Sequence, residues 1–394
     1  MSQTFWQKDT KTPQGKLGKS HNSSILIIGS GLAGTSIAHF LLKQNYKDIS
    51  IVDCGSENAS YFRNAGHILH GASEDYKTMV ALQGREKARA IFELSSVFCK
   101  EIQNTIKELS LPCDLHVGDY LVVARDAREE QEMVESIDMM KDDGFDFNEI
   151  ETNVQKYGFA KGVGRKCGLS AQANPAKFRN QLLEHVLSQG INYYNQKIVS
   201  IQESQGIAIV NYQDGSQSHH DAIVIAANAY SPLFSDFFKS RKLIDPFKGQ
   251  IIVSKPMDQE WPRMQFSTDH GYIYGTTTVD NRLLIGGWRN NVPGGEIGSY
   301  DLILNPLVED GLKSFIEKNL LFKDLEWEYS WAGIMGSVQG GLPLIGPTNS
   351  PNIYTLAGCT GYGFGWFHGS AKLLVDIILG NTLPAGYGYF NPNR

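Results

Sequence analysis

Ser24-Ile-Leu-Ile-Ile28-Gly29-Ser-Gly31-Leu-Ala-Gly34 sets an uninterrupted apolar run directly against a Gly-x-Gly-x-x-Gly pattern. Such a run suits a parallel strand buried on both faces. Beyond the glycines, Ile37, Phe40 and Leu41 recur at helical spacing as far as Lys43. Asp48-Ile-Ser-Ile-Val-Asp53 reads as the next strand, completing a β-α-β unit. In that context Gly29 permits the tight turn, Gly31 lets backbone approach a pyrophosphate, and Gly34 lets helix pack on strand, with Leu32 and Ala33 completing the turn. The phosphate sits at the helix N-terminus, where free N–H groups and the dipole favour negative charge. Asp53 ends the second strand, 19 residues beyond Gly34, where a carboxylate accepts hydrogen bonds from an adenosine ribose. A glycine-rich turn beside a surface acid is the plainer alternative, but strand, turn, helix, strand and acid stand in the order dinucleotide binding demands.

Ile25 to Leu42 holds no Asp, Glu, Lys or Arg and has the length of a membrane span, yet its Gly-Ser-Gly centre breaks it into strand, turn and helix. No integral membrane span is expected. The first 22 residues are polar and lysine-bearing, with Phe5 and Trp6 the sizeable apolar pair, and lack a signal-peptide core. With 41% hydrophobic and 20% charged residues the 394-residue chain has an ordinary globular composition, and its length favours two joined domains. A net charge of −6 offers no footprint for nucleic acid. Five scattered cysteines without a Cys-x-x-Cys pair fit a reducing, cytoplasmic setting and argue against a disulfide framework or zinc site. The pairs His67/His70 and His219/His220 lack the further ligands a metal needs, so no metal is expected.

Further along, helical spacing predicts a long region from Glu74 to Leu109 broken near Gly84, a surface helix over 126–141, and another from Pro175 to Gln189. Strands follow at Ile191–Tyr194, Lys197–Gln202, Ile207–Tyr212 and Ala222–Ala227. A second, antiparallel group is expected at Gln250–Lys255, Gly271–Gly275 and Arg282–Gly287. Near the end, Gly358-Cys-Thr-Gly361-Tyr-Gly363-Phe-Gly365 is a second glycine cluster between a strand and a helix. It does not repeat the first motif. It suits backbone lying against a flat ring, with a helix N-terminus supporting negative charge on a reduced flavin. A glycine-rich turn with packed aromatics is the structural alternative.

These motifs, with Ser60-Tyr-Phe-Arg-Asn-Ala-Gly66, Asn174-Pro175, Lys197-Ile-Val-Ser-Ile201, Ile223-Val-Ile-Ala-Ala-Asn-Ala229, Lys248-Gly-Gln250, Leu284-Ile-Gly-Gly-Trp288, Trp331-Ala-Gly-Ile-Met-Gly336 and Leu342-Pro-Leu-Ile-Gly346, run in order along the chain. Together they resemble the D-amino-acid oxidase, glycine oxidase and sarcosine oxidase superfamily of flavoproteins over nearly the whole length. The resemblance implies an α/β fold in which a Rossmann-like FAD-binding domain (23–110, 165–240 and 330–394) interleaves with a mostly antiparallel α+β substrate domain (111–164 and 241–329), after a polar extension over 1–22. It implies FAD contacts from Gly29, Gly31, Leu32, Ala33, Gly34, Asp53, Ser60, Arg63, Asn64, Ala65, Gly66, Val199, Ala227, Gly333, Gly358, Gly361, Tyr362, Gly363 and Phe364. It also implies hydride transfer from a carbon bearing nitrogen to the flavin, followed by hydrolysis of the imine. The expected substrate is a small amine or amino acid, and the expected electron acceptor is O2 or a quinone.

Departures from the family pattern carry information. An arginine that clamps a substrate carboxylate is often found where Met335 stands, and a second basic residue is often found near Gly361 or Gly365. Without that fork either the substrate is an amine, or Arg289 or Lys248 supplies the charge. No cysteine lies near Gly333 to Met335, and Arg63 replaces a histidine used for flavin attachment, so FAD is expected to be non-covalent. His67, Tyr272, Tyr274 and Arg289 are the substrate-pocket candidates. The tyrosines alternate on one expected strand and so face the same way. Three rival readings stand beside an oxidase: a dehydrogenase of the same family using a quinone or carrier protein, a catalytically degenerate flavin-binding subunit, and an NAD-dependent dehydrogenase that leaves the second glycine cluster unexplained. No feature of the sequence fixes an oligomeric state.

Overall fold

A computed structural model describes residues 4–8, 10–17, 22–55 and 58–394 of the chain. Residues 1–3, 9 and 18–21 of the N-terminal stretch lie outside that description. The architecture is mixed α/β, with a nine-stranded and an eight-stranded sheet among the described residues. In the first sheet, Ser23–Ile28 lies between Ile49–Asp53 and Gln217–Ile225, parallel to both. Ile353–Ala357 adds a further parallel strand against Gln217–Ile225. Leu26 and Ile27 have no solvent exposure, as two-sided burial requires. Helices Leu32–Lys43, Pro175–Ser188 and Gly363–Leu379 cover this sheet, their apolar faces sharing one core with it.

The eight-stranded sheet contains Asp245–Ser254 between Trp327–Ser337 and Leu283–Gly287, both antiparallel to it. Ile273–Thr277, Gln265–Thr268 and Tyr120–Val123 continue it outward. Side chains alternate between faces every residue. Leu121, Ile252, Phe266, Ile273, Leu283 and Ile285 pack on the back face against Val308, Leu312, Phe315 and Ile316 of the helix Pro306–Asn319. Ile251, Leu284 and Trp331 face the other way and join the core of the nine-stranded sheet. Tyr274, Gly286, Gly249, Gly333, Phe247 and Met335 share that inward face by register.

The polar N-terminal stretch packs against the body at particular residues. Thr4 and Trp6 are buried. Trp6 donates its Nε1–H to the Asn64 carbonyl at 2.6 Å. Phe5 meets the Tyr329 ring at 5.9 Å, and the Arg282 guanidinium lies 5.6 Å from the Phe5 ring. Asn180 Nδ2 donates to Thr10 Oγ1 and to the Lys11 carbonyl. Lys16–Leu17 then adds a parallel strand beside Asn192–Asn195. The segment thus straps across both sheets.

Candidate active site

The first glycine turn is built as its spacing demands. A Cβ on Gly34 would lie 1.8 Å from the Gly29 carbonyl oxygen, so the third glycine is fixed by close approach of helix to strand. Gly29 has φ +104, and a Cβ there would lie 2.7 Å from the Ala226 carbonyl oxygen. The helix Leu32–Lys43 begins at Gly31 without a side-chain cap, leaving first-turn N–H groups for a ligand. Asp53 accepts from the Ser30 N–H at 2.7 Å and its hydroxyl at 2.9 Å through one oxygen, and from the Gly55 N–H at 2.8 Å through the other. A carboxylate has about four acceptor sites, so capacity remains for a ribose hydroxyl.

One residue at this turn escaped the sequence reading. Arg179, on the helix Pro175–Ser188, is 1% exposed and donates from Nε to the Ser30 carbonyl at 2.6 Å and from Nη2 to Ser30 Oγ. Its guanidinium stacks 4.4 Å from the Tyr61 ring centroid. The signal was present. Arg179 falls on the same helical face as Leu182, Leu183 and Val186, all buried, and a cation on such a face needs a partner inside.

The remaining expected cofactor residues close around this turn. Ala227 follows Ala226 beside Gly29, and Asn228 Oδ1 accepts from the Gly358 N–H at 2.8 Å. Ser60 opens a short turn in which Asn64 Nδ2 donates to the Ser60 carbonyl and the Gly66 N–H donates to Asn64 Oδ1. Ala65 is buried there. Arg63 donates from Nη1 to the Ala332 carbonyl at 2.8 Å, and a Cβ on Gly333 would lie 2.8 Å from the Arg63 Cβ. That contact ties this turn to the eight-stranded sheet. The helix Gly363–Leu379 starts at Tyr362 without a side-chain cap; Gly361, at φ +92, faces open space, and Phe364 is buried against Phe178. Two uncapped helix N-termini and bare backbone at Gly31 and Gly361 fit a dinucleotide bearing a flat ring. Val199 stands apart, 48% exposed at a bulge in the strand Ile198–Ser204.

The inward face of the eight-stranded sheet forms the opposite wall. His67, on the short strand His67–Ile68, has its ring 6.3 Å from those of Tyr120 and Tyr274. Its Nε2 is shielded from solvent and has no hydrogen-bond partner among the described residues. Burial pulls its pKa down to about 4, against a smaller opposing effect of the Gly275 backbone. The ring is therefore neutral at pH 7 and offers a lone pair. Burial pushes the Tyr120 and Tyr274 phenols up to about 12, and raises Tyr362 further with help from Tyr120, so all three are donors. Tyr120 donates to Ser267 Oγ.

Tyr272 precedes the strand Ile273–Thr277 and is 37% exposed at the rim, whereas Tyr274 lies within the strand. The reason is the left-handed pair Asp269 and His270, which turns the chain before the strand starts. Met335 turns its methyl toward Gly249, where an added Cβ would lie 2.6 Å from Met335 Cε and 3.3 Å from the Tyr274 hydroxyl. Lys248 points away from this wall, its Nζ held by Glu296 at 2.7 Å and Asp301 at 3.1 Å. It is neutralised and leaves Arg289 as the remaining cationic candidate. No helix of the described residues is long and apolar enough to cross a membrane.

Comparison with known proteins bears on this geometry. A sequence model of the family described as FAD dependent oxidoreductase (DAO) matches residues 24–377. The probable oxidoreductase OrdL of Haemophilus influenzae is 22% identical over 382 residues, covering 93% of this chain and 85% of that protein. Among solved structures, glycine oxidase from Geobacillus kaustophilus superposes with a TM-score of 0.79 at 16% identity, over 95% of this chain and 99% of that one. L-proline dehydrogenase from P. horikoshii gives 0.77 at 18% identity, over 95% and 98%.

Proposed function

Since the chain belongs to the DAO family of FAD-dependent oxidoreductases, we propose that it oxidises a carbon–nitrogen bond of a small amine or amino acid, with O2 as the electron acceptor and FAD held without a covalent link. The observation that carries this reading is the facing of two uncapped helix N-termini and bare glycine backbone by a wall of phenols and one neutral imidazole whose Nε2 has no hydrogen-bond partner among the described residues. Bound FAD supplies the two-electron acceptor. Gly29 to Gly34 and Arg179 hold the turn for the pyrophosphate, and Asp53 serves the ribose. Ser60 to Gly66, Gly333 and Gly358 to Phe364 surround the ring system.

On the substrate side, His67 Nε2 accepts an N–H of the amine. This orients the nitrogen, while the same desolvation that keeps the imidazole uncharged disfavours a charged ammonium beside it and so favours the neutral, oxidisable amine. Tyr274 and Tyr362 exclude water. Met335 in place of an arginine removes the grip on a carboxylate next to the reacting carbon.

The test starts with the absorption spectrum of purified protein before and after denaturation and filtration, then anaerobic mixing with amines and amino acids. Flavin bands that pass the filter and bleach with an amine, with peroxide formed under air, are the expected outcome. Colourless protein that fails to take up added FAD refutes the reading. His67→Phe should retain FAD and lower kcat/KM about tenfold to a hundredfold, while His67→Gln, with an amide oxygen to accept the N–H, recovers part of it. Full activity in His67→Phe would remove the imidazole from the scheme.

A further inference from the structure

The rim of the cleft carries a cation whose charge no acidic side chain answers. Arg289 is half-buried, its guanidinium carbon 4.6 Å from the Phe247 ring centroid and 5.1 Å from that of Tyr272. Nη1 donates to the Gly295 carbonyl at 3.2 Å. Acids lie nearby in the chain, yet each is committed elsewhere. Glu296 pairs with Lys248 at 2.7 Å and accepts from Asn305. Asp301 pairs with Lys248 at 3.1 Å. Asp269 pairs with Arg125 at 2.9 Å and accepts from Asn290 Nδ2 at 3.0 Å. Among the described residues, Arg289 has no ion pair.

The placement is built by the backbone. Gly287 has φ +114, and a Cβ there would lie 1.9 Å from the Tyr272 carbonyl oxygen. Trp288 follows with φ 64, so the chain lifts off the sheet edge and returns Arg289 over Phe247. Aromatic rings near the guanidinium limit its freedom, and its unbound N–H groups remain in one plane, the geometry that grips a carboxylate by two parallel hydrogen bonds. Phe247 pairs with Met335 across the sheet, so the cation stands a strand away from the position where an α-carboxylate clamp would be. Tyr272 and Tyr274 are two residues apart, the first at the rim and the second within the strand Ile273–Thr277. The Tyr274 ring in turn lies 6.3 Å from that of His67.

We propose that Arg289 binds a carboxylate at the far end of the substrate, so that the preferred substrate is an amino carboxylate with several carbons between nitrogen and acid. The amine end of this assignment rests on the oxidase reading above; the carboxylate end rests on Arg289 alone. An α-amino acid carries its carboxylate next to the reacting carbon, at the position where Met335 stands rather than a strand away at Arg289, and a simple alkylamine leaves the guanidinium unsatisfied.

The test uses the protein as purified and isothermal titration calorimetry with butanoate, pentanoate and hexanoate against the corresponding primary amides. The acids should bind about tenfold to a hundredfold more tightly. Arg289→Gln should abolish that preference, and Arg289→Lys should restore part of it. Acids and amides of equal affinity in the wild type overturn the proposal, whether or not a variant folds. So does an acid preference that persists in a folded Arg289→Gln. In a second arm, flavin reduction is followed with ω-amino acids from glycine to 6-aminohexanoate. A maximum at intermediate length supports the assignment, and equal or best turnover of glycine overturns it. Reduction by alkylamines without any acid preference removes Arg289 but leaves the oxidase reading. An Arg289-dependent acid preference in a protein that no amine reduces does the reverse.

Discussion

Replacing Trp6 tests whether the N-terminal strap holds the cofactor loop. Its side chain is 5% exposed and donates to the Asn64 carbonyl at 2.6 Å, and Gly66 sits so close that an added Cβ would lie 3.2 Å from the indole Cζ2. Truncating a buried tryptophan to alanine costs about 3–5 kcal/mol. Unfolding entropy of about 2.1 cal/mol/K per residue gives roughly 0.8 kcal/mol/K for a chain of 394 residues, so Trp6→Ala should lower Tm by about 5 °C. Trp6→Phe keeps most of the packing and loses the hydrogen bond, about 1 kcal/mol, for a fall of about 1 °C. Because Asn64 and Gly66 belong to the loop assigned to FAD, Trp6→Ala should also release FAD faster than Trp6→Phe. Differential scanning fluorimetry with flavin fluorescence reads both effects at once. A Trp6→Ala protein that melts with the wild type and keeps its full flavin complement would show that the strap is merely resting on the surface.

Three further outcomes follow from the site and its surroundings. Arg179→Met keeps the stem beside Tyr61 but loses both bonds to Ser30, and should weaken FAD about tenfold or more by fluorescence titration; an unchanged affinity removes Arg179 from the cofactor turn. Gly34→Ala forces a Cβ to 1.8 Å from the Gly29 oxygen and should yield protein without flavin absorbance, whereas Gly388→Ala, which meets nothing within 4 Å, should be indistinguishable from the wild type. Burial lowers His39 and His67 to about 4 and His70 to about 3. Their folded pKa values lie below the unfolded 6.5, so this stability is complete above that value and is lost as pH falls toward 4. Each contributes about 1.4 kcal/mol per pH unit in that window. A urea midpoint that stays flat from pH 7 to 5 contradicts the burial argument.

The parts of the fold legible in the sequence were those fixed by local rules. Ser24–Ile28 could be read because two-sided burial needs continuous apolar residues, and the helix break at Gly84 because that residue sits at φ +83. The helices assigned to 126–141 and 175–189 are found at Ala127–Asp142 and Pro175–Ser188. What escaped depends on partners distant in the chain. Phe5 and Trp6 look like stray apolar residues until Asn64 and Tyr329 are brought to them. The inner strand Trp327–Ser337 is longer than its pattern because the Ala-Gly-Ile-Met-Gly run derives its strand character from ten paired residues of Asp245–Ser254. Lys248 and Arg289 were equivalent on paper. Only the folding of Glu296 and Asp301 onto Lys248 separates a spent charge from an available one.

The strict alternation of the strands Asp245–Ser254 and Leu283–Gly287 has an evolutionary consequence. Substitutions at 247, 249, 274 or 335 alter what the cleft accepts while leaving 252, 266, 283 and 285, and the helix behind them, untouched. Substrate range can therefore drift by point mutation on an unchanged scaffold. Length change is another matter. One inserted residue in Asp245–Ser254 would exchange Phe247, Gly249 and Ile251 for Lys248, Gln250 and Ile252, turning a cation toward the cofactor and opening the back core. Descendants of this chain should vary in identity at 247, 249, 274 and 335, and should gain or lose residues in the turns 255–264 and 288–305 instead.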